Sequence, residues 1–504
     1  MKPKYYLTTT LPYVNAKPHI GFALEIIQAD VLARYHMLCG DEVIFNTGTD
    51  EHGVKIYRKA LEEGKEPQAY CDEYAAKFDA LKQSLNLSYN KFIRTTDEGH
   101  MKAAQEFWKL CEKNGDIYKK KYQVKYCVGC ELEKTDSELV DGKCPVHPNM
   151  ELELIDEENY FFRFSKYQQP LLDLYDANPE FVVPKNRQLE IRNFVASGLQ
   201  DFSISRLKEK MPWGIAVPGD GAQVMYVWFD ALVNYISTLG WPDDKKTFAD
   251  FWPGYQVAGK DNLRQQSAMW QAMLMSAGLP TSKQIFIHGF ITSGGQKMSK
   301  SLGNVIDPLE VVAKYGTDAV RYFLLGAIPA HDDGDATDEK IKEFYGANLA
   351  NGVGNLNSRI VTMVENYCSS AVPKSSGHAD IATEILWQDN SYEKYLANYQ
   401  FDLAVEAINK LIERCDQIIS EQKPWEKFKA GEDVSGLLYQ LLEALRHIGV
   451  ALLPIMPQTA EKILGQFGIK VDWQNFDWEK AKKWGTIEVG TKIIKTEALF
   501  PRIQ

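Results

Sequence analysis

A strand, a helix and a second strand follow one another at the start of this chain, and that order constrains the fold more than any other feature. Tyr5 to Thr10 reads as a strand, and Leu11-Pro12-Tyr13 opens a turn region that ends at Pro18. Ile20, Ala23, Leu24, Ile27, Val31, Leu32 and Tyr35 then recur at helical spacing, and Gly40 stops the run where a C-terminal glycine belongs. Val43 to Asn46 supplies the next strand. Such alternation implies a parallel sheet with helical crossovers, whose ligands sit beyond the carboxyl ends of the strands. Asp50, Glu51 and His52 fall there.

The alternation breaks after Tyr118. Lys119-Lys120-Lys121, a cysteine cluster and a carboxylate-rich run to Glu158 mark an insertion. The sheet is expected to resume near Val224 to Phe229, with further strands at Tyr255 to Ala258 and Gln284 to His288. Past Ile341 helical runs take over, from Phe344 to Tyr367, Tyr392 to Gln422 and Val434 to Leu453, which fits a helical bundle. A surface connection is expected near Val372 to Ala379, where Pro373, two serines and Gly377 cluster. At 504 residues with 45% hydrophobic content, the chain is too long for one core and should form roughly two to four domains.

No run of eighteen apolar residues occurs, and the charged start leads directly into a strand, so a soluble, unexported protein is expected. Five of the eight cysteines are scattered without a framework, which suits a reducing compartment. The formal charge of -11 argues against a chain coated with nucleic acid, yet leaves room for local basic patches.

Pro18-His19-Ile20-Gly21 opens the first helix, placing an imidazole and a bare backbone beside unsatisfied N–H groups that favour a phosphate. A triplet this short often arises by chance; its place after a first strand improves the odds. Lys297-Met298-Ser299-Lys300-Ser301 lies between Gly294-Gly295 and Gly303, so closure of a mobile loop can bring Lys297 and Lys300 onto a leaving pyrophosphate. The plain alternative is a solvated basic loop. Cys127, Cys130, Cys144 and His147 form a Cys-x2-Cys and Cys-x2-His pair separated by thirteen residues, a spacing that suits tetrahedral zinc. With four protein ligands no position remains for a catalytic water, so the role is structural. Trp228, Ala231 and Tyr235 lie at i, i+3 and i+7, one face of a helix expected to begin near Asp230, and periodicity alone favours core packing for them. Asn355 and Arg359 are four apart on a helix, and Trp425 follows Lys423-Pro424. These are ordinary surface residues or an aromatic and polar platform for unstacked bases.

The histidine and lysine elements resemble the HIGH and KMSKS signatures of class I aminoacyl-tRNA synthetases. Leu11-Pro12-Tyr13-Val14-Asn15, Thr47-Gly48-Thr49-Asp50-Glu51-His52-Gly53, Val227-Trp228-Phe229-Asp230-Ala231-Leu232, Gly259-Lys260-Asp261 and Gln422-Lys423-Pro424-Trp425 resemble the methionyl-tRNA synthetase family in particular. The likeness spans most of the chain. Phe22 stands where the second signature histidine would be, and Gln266 where many relatives carry a histidine.

The resemblance implies a split, doubly wound parallel-sheet (Rossmann-like) α/β catalytic domain with a zinc-knuckle insertion, followed by an all-α anticodon-binding bundle. The catalytic halves are expected at 1–117 and 206–288, the insertion at 118–205 with its knuckle near 120–155, the lysine loop and stem-contact region at 289–343, and the bundle with its tail at 344–504. It implies ATP held by His19, Gly21, Lys297 and Lys300 with Mg2+ on the nucleotide, and catalysis by His19, Lys297 and Lys300. L-methionine would lie among Leu11, Tyr13, Asp50, Trp228, Ala231 and Tyr235, with one structural Zn2+ on Cys127, Cys130, Cys144 and His147. tRNA(Met) would be read at Asn355, Arg359 and Trp425, by a cytoplasmic monomer with no membrane partner. His52, Lys260 and His288 are weaker candidates for adenosine contacts, and Arg321 either pins the lysine loop or touches a ligand. A synthetase for leucine, isoleucine or valine shares this chemistry, but the insertion is too short for a large editing domain. A zinc-containing RNA-binding protein without catalysis is the alternative from another class.

Overall fold

The computed structural model describes residues 2–130, 132–134, 136–298, 303–374 and 379–503. Its centre is a six-stranded parallel sheet in the order Lys91–Arg94, Glu42–Thr49, Lys4–Thr9, Tyr255–Gly259, Gln284–His288 and Val182–Val183. Tyr5, Tyr6 and Leu7 are buried in sequence, as in a strand covered on both faces. The Ile20–Leu38 helix crosses from the first strand to the second and is buried on nearly every side. Its charged residues are paired accordingly, since a buried charge without a partner is costly. Asp30 lies 2.7 Å from Arg34 and 2.8 Å from Arg321. Strand order reverses beside Lys4–Thr9, so a crevice opens at the carboxyl ends of that strand and of Tyr255–Gly259.

The expected return of the sheet at Val224 to Phe229 is corrected. Asp220–Met225 is a strand, but it belongs to a separate antiparallel sheet with Ser205–Leu207 and Ala216–Val217, and Val227–Ala231 is helical. A short apolar run announces a strand without naming its partner, whereas the expected strands Tyr255–Gly259 and Gln284–His288 do extend the parallel sheet. The insertion is built on a long ribbon in which Ile117–Cys127 pairs antiparallel with Glu153–Phe162. Val182–Val183, inside the stretch expected to be insertion, rejoins the main sheet as an edge strand.

Three of the bundle's helices are Gly354–Cys368, Phe401–Gln422 and Ser435–Leu452. The helical run expected from Phe344 is kinked at Gly352, and the run expected from Tyr392 breaks between Ala397 and Phe401. Tyr399, in that break, stacks on Phe286 of the sheet with centroids 4.4 Å apart. Arg321 settles into a structural role: its guanidinium donates to the carbonyls of Pro454 (3.0 Å) and Ile455 (2.8 Å), joining the first helix to the bundle. The expected surface connection lies partly outside the described residues, at 375–378. Among the described residues no helix is long and apolar enough to cross a membrane.

Candidate active site at the reversal of strand order

His19 is the N-cap of the first helix. Its Nδ1 accepts from the backbone N–H of Gly21 (3.1 Å) and Phe22 (3.4 Å), satisfying donors that a helix start leaves orphaned. A nitrogen that accepts carries no proton, so the neutral ring bears its N–H on Nε2. The surrounding protein lowers the imidazole's pKa, outweighing the nearby carboxylates of Asp261 and Glu25. A Cβ on Gly21 would stand 3.0 Å from His19 Cε1, so a bare backbone lets the ring fold back over the helix start. Phe22 meets Phe78 edge to face at 5.4 Å and faces a packing partner.

The lysine loop reaches the same place. Ile291–Ser293 and Gln296–Lys297 form a hairpin turned by Gly294 and Gly295, whose φ values of 62° and 73° suit a type I′ turn. The Asp335 carboxylate anchors it, accepting from Gly295 N–H at 2.8 Å. Met298 Cε lies 3.9 Å from the position a Cβ on Gly21 would take, and Ile20 N–H donates to the Ile306 carbonyl at 3.0 Å. Lys297 is exposed and its charge acts on Asp261, which also acts on His19. Ser299, Lys300, Ser301 and Leu302 lie outside the described residues.

Beside this junction the amino-acid candidates gather. Tyr13 and Asp50 form a parallel bridge, with Asp50 N–H donating to the Pro12 carbonyl at 3.0 Å. The Tyr13 ring meets Trp228 edge to face at 6.2 Å. The helix carrying Trp228 begins at Val227, before the expected start near Asp230, and turns at Leu232 and Val233 before Asn234–Ser237. Ala231 ends that helix and Tyr235 lies on Asn234–Ser237, both buried, so the single helical face expected for Trp228, Ala231 and Tyr235 is interrupted at Leu232 and Val233. Burial raises the pKa of the Tyr235 phenol, with Asp50 and Glu25 adding to the effect, so both carboxylates lie within electrostatic reach of that ring.

Sequence reasoning gave Glu25, His100, Asp230 and Arg94 no part in holding this arrangement. Asp230 is fully buried between two imidazoles, His52 Nδ1 at 2.7 Å and His100 Nε2 at 2.8 Å; burial opposes its charge, but the two rings bring its pKa below the usual value. Glu51 is clasped by Arg94 through contacts of 2.7 and 2.9 Å. Glu25 accepts from Thr10 and faces His288 Nε2 at 3.0 Å, while His288 Nδ1 lies 2.7 Å from the Gly289 carbonyl. Two acceptors around one ring favour the imidazolium: burial works against it, yet the Glu25 contact raises the His288 pKa. A carboxylate such as Glu25 inside an otherwise apolar helical stripe was the available signal. His52, His288 and Lys260 are thus committed to protein partners, Lys260 pairing with Asp333 at 2.6 Å.

Cys127, Cys130, Cys144 and His147 converge, with all four ligand atoms within 4.8 Å of one another. His147 Nδ1 lies 3.2 Å from Cys130 Sγ and 3.8 Å from Cys127 Sγ, and the Cys130 and Cys144 sulfurs are 3.4 Å apart. A tetrahedral zinc with ordinary bond lengths would separate such ligands by about 3.5–3.8 Å. The cluster can therefore hold a metal ion. A Cβ on Gly129 would come within 2.6 Å of the His147 ring, so the knuckle closes only around a glycine. Lys55 ties it to the site, donating to the Gly129 carbonyl at 3.0 Å while lying 5.3 Å from the Tyr13 ring centroid.

In the bundle, Asn355 is exposed and Arg359 pairs with Asp416 at 2.5 Å. Trp425 opens the short Pro424–Lys429 helix with 37% exposure. Phe428 of that helix stacks on Tyr367 at 4.4 Å, so all three candidates sit on neighbouring helices, far in sequence from the sheet's crevice.

The chain matches the family model described as "tRNA synthetases class I (M)" over residues 5–153 and 148–361, and "Anticodon-binding domain of tRNA ligase" over 389–499. It is 43% identical to the methionine–tRNA ligase of Thermosynechococcus vestitus, covering 100% of this chain and 98% of that one. To the methionine–tRNA ligase of Caldanaerobacter subterraneus it is 41% identical, with 100% and 79% covered. Among solved structures, the Mycobacterium tuberculosis methionyl-tRNA synthetase in complex with methionyl-adenylate superposes with a TM-score of 0.93 at 37% identity, all of both chains being covered.

Proposed function

The chain belongs to the class I methionyl-tRNA synthetases, and we propose that it carries out their two-step reaction with the residues gathered where the strand order reverses. L-methionine is activated by ATP to methionyl-adenylate with loss of pyrophosphate, and the acyl group then passes to the terminal ribose of tRNA(Met). The observation that carries this reading is the meeting of the lysine loop with the capped helix end, Met298 against Gly21, next to the Tyr13, Asp50 and Trp228 cluster.

Asp50 and the Leu11 backbone receive the substrate ammonium, while Tyr13, Trp228, Ala231 and Tyr235 wall its side chain. A methionine carboxylate oxygen attacks the α-phosphate, forming the acyl phosphate bond as the bond to pyrophosphate breaks. His19 offers Nε2–H to a phosphate oxygen without prior rearrangement, because its Nδ1 is already engaged with the helix backbone. Gly21 lets the nucleotide approach. Lys297 and Lys300 answer the charge gathering on the leaving pyrophosphate, and Mg2+ arrives with ATP. Asn355, Arg359 and Trp425 form the anticodon surface, and the enzyme acts as a cytoplasmic monomer.

The knuckle residues fit one structural Zn2+, which would tie the insertion's turns together over the pocket wall. Elemental analysis should find about one zinc per chain, lost in Cys144→Ser. The decisive experiment is methionine-dependent exchange of labelled pyrophosphate into ATP by the purified protein, followed by charging of tRNA(Met). Exchange driven by leucine, isoleucine or valine instead, or by no amino acid, would overturn the reading.

A further inference from the structure

Phe290 joins the sheet strand Gln284–His288 to the hairpin of the lysine loop, and packing does not account for it. Its ring is half-buried and belongs to none of the hydrophobic clusters formed by the described residues. Two ammonium groups meet it instead. Lys260 Nζ lies 4.4 Å and Lys297 Nζ 5.8 Å from the ring centroid, both inside the roughly 6 Å over which the negative face of a ring attracts a cation.

The ring is fixed and one of its two cations is fixed with it. Phe290 N–H donates to Asp333 Oδ1 at 2.8 Å, and the Phe290 carbonyl accepts from Gly334 N–H at 2.9 Å. Gly289 just before it lies so close to the Asp332 carbonyl that a Cβ there would stand 2.2 Å from the oxygen. Lys260 gives N–H to both Asp333 oxygens, at 2.7 and 2.6 Å, so the carboxylate beside the ring is already filled. Lys297 is held differently. It pairs with Thr292 across the hairpin, two residues beyond Phe290, so its side chain reaches the ring on the diagonal. Its ammonium is exposed and forms no ion pair among the described residues. An ammonium bound to a carboxylate must break that pair before it can move, whereas one resting on a ring keeps three N–H donors for incoming phosphate oxygens. From this seat the Lys297 charge is felt at Asp261, on the crevice side.

We propose that Phe290 is a positioning residue of the pyrophosphate end of the site: its clamped ring seats the Lys297 ammonium at the edge of the crevice with its donors unspent, so the lysine meets the leaving group from a held position. This rests on the methionine-activating reading, in which Lys297 answers the charge gathering on pyrophosphate. A seat of this kind acts on the rate of the chemical step and leaves substrate binding alone, because the ring itself touches neither ATP nor methionine.

Methionine-dependent pyrophosphate exchange reads the seat through kcat and KM separately. In Phe290→Leu, kcat should fall about threefold, the share of an exposed cation–ring contact, with the KM values for ATP and methionine within about 1.5-fold of wild type. Phe290→Tyr keeps the ring face, and its kcat should stay within about 1.5-fold. In a Lys297→Ala background the leucine replacement should cost no further rate, because the group it seats is gone. If Phe290→Leu does not fold, Phe290→Met takes its place as an apolar side chain without a ring, with the same expected fall. An unchanged kcat, equal falls for leucine and tyrosine, a change confined to KM, or a further loss in the Lys297→Ala background would overturn the seat. A wild-type protein without methionine-dependent exchange would instead overturn the reading it rests on.

Discussion

The two flanks of the proposed nucleotide site are built on opposite principles. On one, His19 is a helix cap whose ring is held by two backbone N–H groups, above a helix buried on nearly every side. On the other, Lys297 is exposed on the second strand of a hairpin turned by paired glycines. A fixed donor acts alike on ground state and transition state unless charge grows in front of it; an exposed, flexible lysine can engage as the pyrophosphate leaves. In the proposed reaction, that contrast would give preorganisation to the helix end and selective stabilisation to the loop.

The most severe way to break that contrast is to remove the loop's charge. Lys297→Ala and Lys300→Ala should each slow adenylate formation about 10²- to 10³-fold while leaving methionine affinity within about threefold. Single-turnover adenylation and equilibrium methionine binding separate the two quantities, and parallel losses in both would erase the distinction between the flanks.

At the helix end the same experiment should give a mixed result, since His19 both caps and donates. His19→Ala should lower adenylation about 10- to 100-fold and also destabilise the fold by about 1 kcal/mol. His19→Asn keeps a side-chain oxygen for Gly21 N–H, so its Tm should return close to wild type while much of the rate loss persists. If Ala and Asn melt together, the cap contributes nothing measurable.

Acidity gives a third comparison, between two histidines shifted in opposite directions. His19 has a lowered folded pKa, so the stability it contributes is present above about pH 6.5, its unfolded value, and is lost as pH falls through the folded value. Protonation also removes the Nδ1 acceptor that the cap needs. His288 is raised, so its contribution is full below about pH 6.5 and is lost as pH rises through the folded value. Melting curves across pH should show His19→Asn flattening the acid side of the profile and His288→Gln the near-neutral to alkaline side.

These partners show what could be read in advance. Strand–helix–strand alternation, the knuckle and both signatures were legible because each is a local pattern: a period, a spacing, a glycine pair. Periodicity put Trp228, Ala231 and Tyr235 on one helical face and favoured core packing, and only the family resemblance made them pocket candidates, because one periodicity serves core and pocket alike; the structure breaks that face between Ala231 and Asn234. The run near Val224 was placed in the wrong sheet, since strand partners are chosen by tertiary register. Asp230 between His52 and His100 joins residues scattered along the chain. Nothing in one sequence couples such positions.

Phe22 sharpens the comparison with the smallest effect. A histidine placed there would complete the paired-imidazole signature, and one more positioned donor in a preorganised site can be worth about 3 kcal/mol. The fold says otherwise, because the residue 22 ring packs edge to face on Phe78 and against the core beneath it. Phe22→His should lose that aromatic contact, lowering stability by about 1 kcal/mol, and should change adenylation by less than about threefold, because a second donor adds little where its ring is drawn toward Phe78. Thermal melting and pyrophosphate exchange on the one variant decide the matter: a tenfold gain in rate would mean that the helix end is an incomplete site, and that the loop lysines compensate for a missing imidazole instead of acting as a separate, transition-state-only flank.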